Sequence, residues 1–240
     1  MKSHVSQPFP VDFFSNPIPA TPLHPPINFH YTVHMSTEKR NKQAHRFAIL
    51  AQMNEKVFHA SDLAVLWGIT DKNTLYTTLS RYIRSKVLYR VFKGLYSIPP
   101  PSQIDPLLLG TKALHEYCYI TTETVLFNTG YISQKPAIIT LAGSHSKRFK
   151  VISNHYRSRR LKPQFLMNPL EILNIKADNM SGTVKIASAE RAIADMLYFN
   201  PHFNFDKKVN WEKIAGLQKQ IGYPLTPARY VDPAALRRHP

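Results

Sequence analysis

Cysteine is nearly absent: Cys118 is the only one in 240 residues. That excludes an intrachain disulfide framework or a thiolate metal cluster, and it fits a reducing cytoplasm. No apolar run approaches the roughly 18 residues of a membrane-spanning helix. The first residues lack the apolar core of a secretory signal, so secretion is not expected. There is no glycine-rich loop to cradle phosphate and no Ser-His-Asp signature. Acidic residues are scarce, 15 against 31 Lys plus Arg, for a formal net charge of +16. A protein so short of carboxylates is expected to meet a polyanion, nucleic acid first. The apolar fraction of 43% is that of a chain with a buried core. The length suits two small domains or one of middle size.

The charge is uneven. Residues 1–34 carry one Lys and one Asp, yet hold 7 of the 19 prolines. Proline that dense forbids helix and sheet interior, so residues 1–36 are expected to be an extended, unpacked leader. Met35 opens a different kind of text, Met-Ser-Thr-Glu-Lys-Arg, and translation is expected to be able to start there. Two basic tracts follow. Residues 72–93 hold Lys72, Arg81, Arg84, Lys86, Arg90 and Lys93 without one acid. Residues 145–162 hold Lys147, Arg148, Lys150, Arg157, Arg159, Arg160 and Lys162, again without one.

The first tract lies in a recognisable arrangement. Ala44, Phe47, Leu50 and Ala51 give one apolar helix face from Thr37 to near Asn54. Val57-Phe58 is a short extended piece, and Ser61 can cap a helix from Asp62 to Trp67 that Gly68 closes. Thr70 or Asp71 can cap a third helix running to about Lys86. On it Leu75, Leu79, Tyr82 and Ile83 form one stripe. Asn73, Tyr76, Thr77, Ser80, Arg81 and Arg84 form the other, rich in groups that bond base edges and phosphates. Val87–Val91 and Leu95–Ile98 read as a hairpin around Phe92-Lys93-Gly94. Three helices followed by a basic hairpin predict a winged helix-turn-helix, with the third helix in the major groove and the wing on the backbone. A protein-binding winged helix is the plain alternative. A surface without carboxylates from Lys72 to Lys93 favours DNA.

The second half reads as mixed α/β. Thr121 or Thr122 can cap a helix holding Val125 and Leu126, ended by Gly130. Ala137–Leu141 and Phe149–Ile152 read as strands, with Arg157, Arg159, Arg160 and Lys162 beside them. These cations extend a phosphate track, bind structured RNA or an acidic surface, or simply form a solvated face. Ser188 caps a helix whose Ala192, Ile193, Met196 and Leu197 form the buried stripe. Signals for catalysis are thin. His145 and His155 have no carboxylate between them, which suits a metal poorly. Glu123, Glu190 and Asp195 are the best candidates for nuclease-like chemistry. Glu190, though, sits where it meets the helix dipole, and Asp195 is placed to pair with Arg191. Cys118, between Tyr117 and Tyr119, reads as a buried structural thiol.

The stretch His59–Pro99, closing on Arg90-Val-Phe-Lys-Gly-Leu-Tyr-Ser-Ile-Pro, resembles the N-terminal domain of AbiEi-family antitoxins. Tyr119-Ile-Thr-Thr-Glu-Thr-Val-Leu, Ala137-Ile-Ile-Thr-Leu-Ala-Gly with Lys147-Arg148-Phe149, and Ile186-Ala-Ser-Ala-Glu-Arg-Ala-Ile-Ala-Asp-Met-Leu resemble successive segments of the same family. The resemblance spans residues 40–200; the leader and the tail depart from it. It implies a transcriptional regulator of a type IV toxin–antitoxin (abortive infection) system. Such a protein represses its own operon at inverted repeats in double-stranded DNA. It opposes a nucleotidyltransferase-like toxin without forming a stable complex.

The expected fold is therefore α+β, an N-terminal winged helix-turn-helix followed by a mixed α/β domain. Its parts are a leader over 1–36, the DNA-binding domain over 37–101 and a linker with a helix over 102–118. The α/β domain covers 119–205 and a helical tail 206–240. The expected protein is cytoplasmic and non-enzymatic, without cofactor, metal or membrane. DNA contacts are expected from Lys72, Asn73, Tyr76, Thr77, Ser80, Arg81, Arg84, Arg90, Lys93, Lys147, Arg148, Lys150, Arg157, Arg159 and Arg160. The alternatives are a nuclease-like enzyme targeted by its winged helix, and an adaptor whose winged helix binds protein.

Overall fold

The computed structural model describes residues 29–53, 55–176 and 182–227, with side chains from Asn41 onward. The leader up to residue 28 lies outside the described residues. The chain divides between Ala44 and His45 into two units, and apart from the first helix all that follows concerns the second. Helix α1 spans Phe29–Gln52, so it starts eight residues before the expected Thr37. The reason is plain in the sequence: after Pro26 no proline or glycine occurs until Gly68, and nothing stops the helix from extending backwards. Of its expected apolar face Leu50 is buried and Phe47 packs on Tyr82, whereas Ala44 and Ala51 stay exposed.

Strand β1 (Val57–His59) leads into α2 (Ala60–Leu66). α2 begins two residues before the expected Asp62, because the Asp62 carboxylate reaches back to accept from the His59 N–H at 3.1 Å. Gly68, at φ +60°, closes it as expected. Helix α3 covers Lys72–Arg84, and β2 (Tyr89–Phe92) and β3 (Leu95–Ser97) form the hairpin. Phe92 faces Leu95 across Lys93-Gly94, with Gly94 at φ +74°. The short extended piece β1 adds antiparallel to β3, giving the order β1-β3-β2. Leu63, Leu79, Leu88, Trp67 and Tyr82 fill the space beneath, and Arg46 lies over the Trp67 ring.

A 3-10 turn (Pro101–Gln103) and α4 (Pro106–Leu114) connect this region to a six-stranded mixed sheet. Its strands are β4 (Tyr119–Ile120), β5 (Ile139–Gly143), β6 (Lys147–Val151), β7 (Asn154–Arg160), β8 (Ile172–Lys176) and β9 (Thr183–Ala187). They lie in the order β6-β7-β5-β4-β9-β8, parallel at β5–β7 and β4–β9 and antiparallel elsewhere. Helices α5 (Glu123–Asn128), α6 (Pro163–Leu166), α7 (Ala189–Phe199) and α8 (Trp211–Ile221) complete the described elements. Mixed α/β architecture is thus what the chain adopts. Among the described residues no helix is long and apolar enough to cross a membrane.

Two expectations change here. Arg157, Arg159 and Arg160 do not sit beside the strands but within one, β7. Ile152, expected to end a strand, is the first residue of the tight β6–β7 turn at φ +56°. Helix α7 is capped by Ser188 as expected, its hydroxyl accepting from the Arg191 N–H at 3.1 Å. Yet α7 is buried continuously from Arg191 to Leu197 rather than along one stripe. Residues 206–227 share that core: α8 packs on α7, and Tyr223 stacks on Tyr198, while the rest of the expected tail, 228–240, lies outside the described residues.

Cys118 is buried, and burial, with the Glu116 carboxylate adding to it, pushes its thiol up to about 12. At pH 8 only about one thiol in ten thousand is then thiolate. We expect the native protein to be inert towards a thiol-reactive dye for hours and to react at once in denaturant. Rapid labelling of the folded protein would contradict this placement.

Candidate nucleic-acid interface

The candidate interface centres on α3. Asp71 caps it, accepting from the Thr74 N–H at 2.6 Å, and fixes the phase of everything after it. In that phase Leu75, Thr78, Leu79 and Tyr82 point into the core. Lys72, Asn73, Tyr76, Thr77, Ser80, Arg81 and Arg84 are all exposed. Thr78 is the buried member that the sequence reading missed. The helix stops at Arg84 rather than Lys86, because the Ser85 hydroxyl donates to the Arg81 and Tyr82 carbonyls and Lys86 turns left-handed at φ +57°.

The hairpin stands beside this face. Arg90 on β2 is opposite Tyr96 on β3. Burial raises the Tyr96 hydroxyl above its ordinary range, the Arg90 charge opposes that rise, and Tyr76 of α3 adds to it. One tyrosine therefore feels both the hairpin cation and the exposed helix face. Arg90 and Lys93 are exposed. None of the cations of α3 and the hairpin pairs with a carboxylate among the described residues.

The second tract forms a basic surface on β6 and β7, where Phe149 of β6 lies 6.3 Å from Phe92 of the hairpin, ring centroid to ring centroid. In the β6–β7 ladder Arg148 is directly opposite Arg157, and Lys150 opposite His155. Lys147, Arg148, Arg157, Arg159, Arg160 and Phe199 line a cleft of about 510 Å³. Arg159 is the inward member: its side chain is 15% exposed and pairs with Glu123. Its guanidinium lies over the Phe199 ring, 5.1 Å from the centroid. Burial pulls that guanidinium below its usual range, Glu123 opposes the pull, and Arg157 adds to it. Ser146, Ser158 and Phe199 also line the cleft and Glu123 joins it through Arg159; sequence reading assigned none of these four to the site. The missed signal is the alternation His155-Tyr156-Arg157-Ser158-Arg159, whose inward positions Tyr156 and Ser158 are too polar to announce a strand.

Each of the three candidate carboxylates is engaged by its own cation. Glu123 is bound to Arg159 and Glu190 to Lys213 at 2.6 Å. Asp195 is wholly buried and accepts from Arg191 Nε at 2.9 Å, as the sequence spacing suggested. It also accepts from the hydroxyls of Tyr119 (3.0 Å), Thr121 (2.7 Å) and Tyr223 (2.7 Å). His145 contacts Glu116 and Ser144, while His155 lies on the strand face with Lys150. Among the described residues no three His, Cys, Asp or Glu side chains converge to hold a metal ion.

No family model matches this chain, and no curated protein does. Among solved structures it is similar to the crystal structure of the RV2827C protein from Mycobacterium tuberculosis. The identity is 12% and the TM-score 0.43, over 83% of this chain and 72% of that one.

Proposed function

We propose that this chain is a DNA-binding transcriptional regulator whose first helices and hairpin act as a winged helix-turn-helix. The observation that carries the reading is the outward face of α3, a capped 13-residue helix. That face presents Asn73, Thr77, Ser80, Arg81 and Arg84 to solvent without one carboxylate among them. Inserted in a major groove, the two arginines reach guanine edges or phosphates, and Asn73 reaches adenine. Arg90 and Lys93 take the flanking backbone. The antitoxin role, with autorepression at inverted repeats, is supported by the resemblance of the motifs between residues 40 and 200. Its test is growth rescue when the chain is co-expressed with a neighbouring nucleotidyltransferase-like toxin.

Arg81→Ala or Arg84→Ala is expected to weaken binding to upstream DNA by about 1–3 kcal/mol where the lost contact is to a base edge. Band-shift titrations at fixed salt measure this directly. Unchanged affinity in both variants would end the assignment of α3 as the reading helix.

A further inference from the structure

The cleft beside β6 and β7 has features that a track for duplex phosphates does not need. It is concave, and about 510 Å³ falls within the size range of small-molecule sites. Arg148 and Arg157 face each other directly across the ladder, an arrangement of like charges that destabilises a sheet. No carboxylate pairs with either among the described residues. Arg159 Nε is buried without a hydrogen-bond partner among those residues, an orphaned donor on a cationic group. Five cationic side chains line this space and no carboxylate does; of the carboxylates around it, Glu123 is engaged by Arg159 and Glu116 by Ser144 and His145. Like charges and an orphaned donor so placed cost stability, and a multiply charged anion offsets that cost.

We propose that this cleft binds a nucleoside polyphosphate. The charge excess suits two or three phosphates rather than one. Arg148 and Arg157, a strand pair apart, are spaced to take adjacent phosphates. Arg159, held by Glu123 and backed by Phe199, forms a fixed guanidinium–aromatic wall against which a base stacks. The site is independent of α3, so it stands or falls separately from the DNA reading.

The test is calorimetric titration of the full chain with ATP, tripolyphosphate and adenosine in Mg²⁺-free buffer. ATP is expected to bind below millimolar concentration, and tripolyphosphate about tenfold more weakly for want of the stacked base. The double variant Arg148→Ala, Arg157→Ala should lose about tenfold or more in ATP affinity. It should melt at or above the wild-type temperature, because a like-charge pair has gone, so lost binding is not lost fold. Arg81→Ala, on α3 and outside the cleft, should leave ATP binding untouched. The proposal is overturned by any of three results. ATP binding is absent or indifferent to the double variant; tripolyphosphate matches ATP; or the double variant loses DNA affinity while ATP fails to bind, which makes the cleft a phosphate track.

Discussion

Asp195→Ala is expected to destabilise the fold by about 3–5 kcal/mol, the cost of leaving one member of a buried ion pair alone. Arg191 and Asp195 are both fully buried, so neither charge can turn to water when its partner goes. Arg191 also donates to the Phe165 and Leu170 carbonyls at 2.8 and 3.1 Å and to the Tyr119 hydroxyl at 3.0 Å. Those bonds hold the guanidinium in place and prevent it from swinging out. Asp195 accepts four hydrogen bonds, two on each oxygen. Removing it therefore strands three buried hydroxyls as well as a cation. For a chain of this size the loss corresponds to a fall in melting temperature of roughly 6–20 °C. The paired replacement Arg191→Met, Asp195→Leu should cost less than either single change, since it removes both charges together. Thermal and urea melts of the three variants decide this. A melting point for Asp195→Ala within about a degree of wild type would show that the pair does not hold the fold.

The network ties four separate stretches to α7: β4 through Tyr119, the turn after it through Thr121, the loop after α6 through Leu170, and the segment after α8 through Tyr223. This explains how much of the molecule could be read in advance. The pairing of Arg191 with Asp195 is local, four residues along a helix, and was visible. Its burial was not, because the other partners lie 76, 74 and 28 residues from Asp195. No periodicity in a short window encodes them. The same contrast runs through the candidate site. The exposed face of α3 was legible because its cap, its stripe and the glycine before it are all local signals. The cleft was half legible: its cations stood out by composition, but Phe199 joins them only because α7 packs beside β7. Strand β7 was missed since its inward residues, Tyr156 and Ser158, are satisfied by single hydrogen bonds to Pro106 and His145 carbonyls rather than by being apolar. The early start of α1 has a local cause: proline restricts only its immediate neighbours, and residues 29–36, beyond Pro26, hold neither proline nor glycine.

Stability should fall steeply above about pH 9–10, and the buried core sets the sign. Burial raises Tyr119 and Tyr223 far above the ordinary tyrosine value, and the neighbouring Asp195 carboxylate raises both further. Burial, with Asp105 adding, also raises Tyr156. Cys118 rises from 9.0 to about 12. In the unfolded chain these groups release their protons near pH 9 for the thiol and near 10 for the phenols. The folded state keeps them protonated. Above those values the native state thus binds more protons than the unfolded one, and stability declines as pH rises. Below them both states are protonated and the contribution is fully present. Each group adds a slope of about 1.4 kcal/mol per pH unit once its unfolded form has ionised. Urea midpoints measured from pH 7 to 11 should therefore stay level to about pH 8.5 and then drop with increasing steepness. Cys118→Ala should delay the onset by removing the group that ionises first, whereas Tyr156→Phe should lower only the slope beyond pH 10. Midpoints that stay flat to pH 11 would mean that these hydroxyls and the thiol titrate as freely in the folded protein as in the unfolded chain. The packing of α7 against β4 and the last described segment, which shields them from water, would then be wrong.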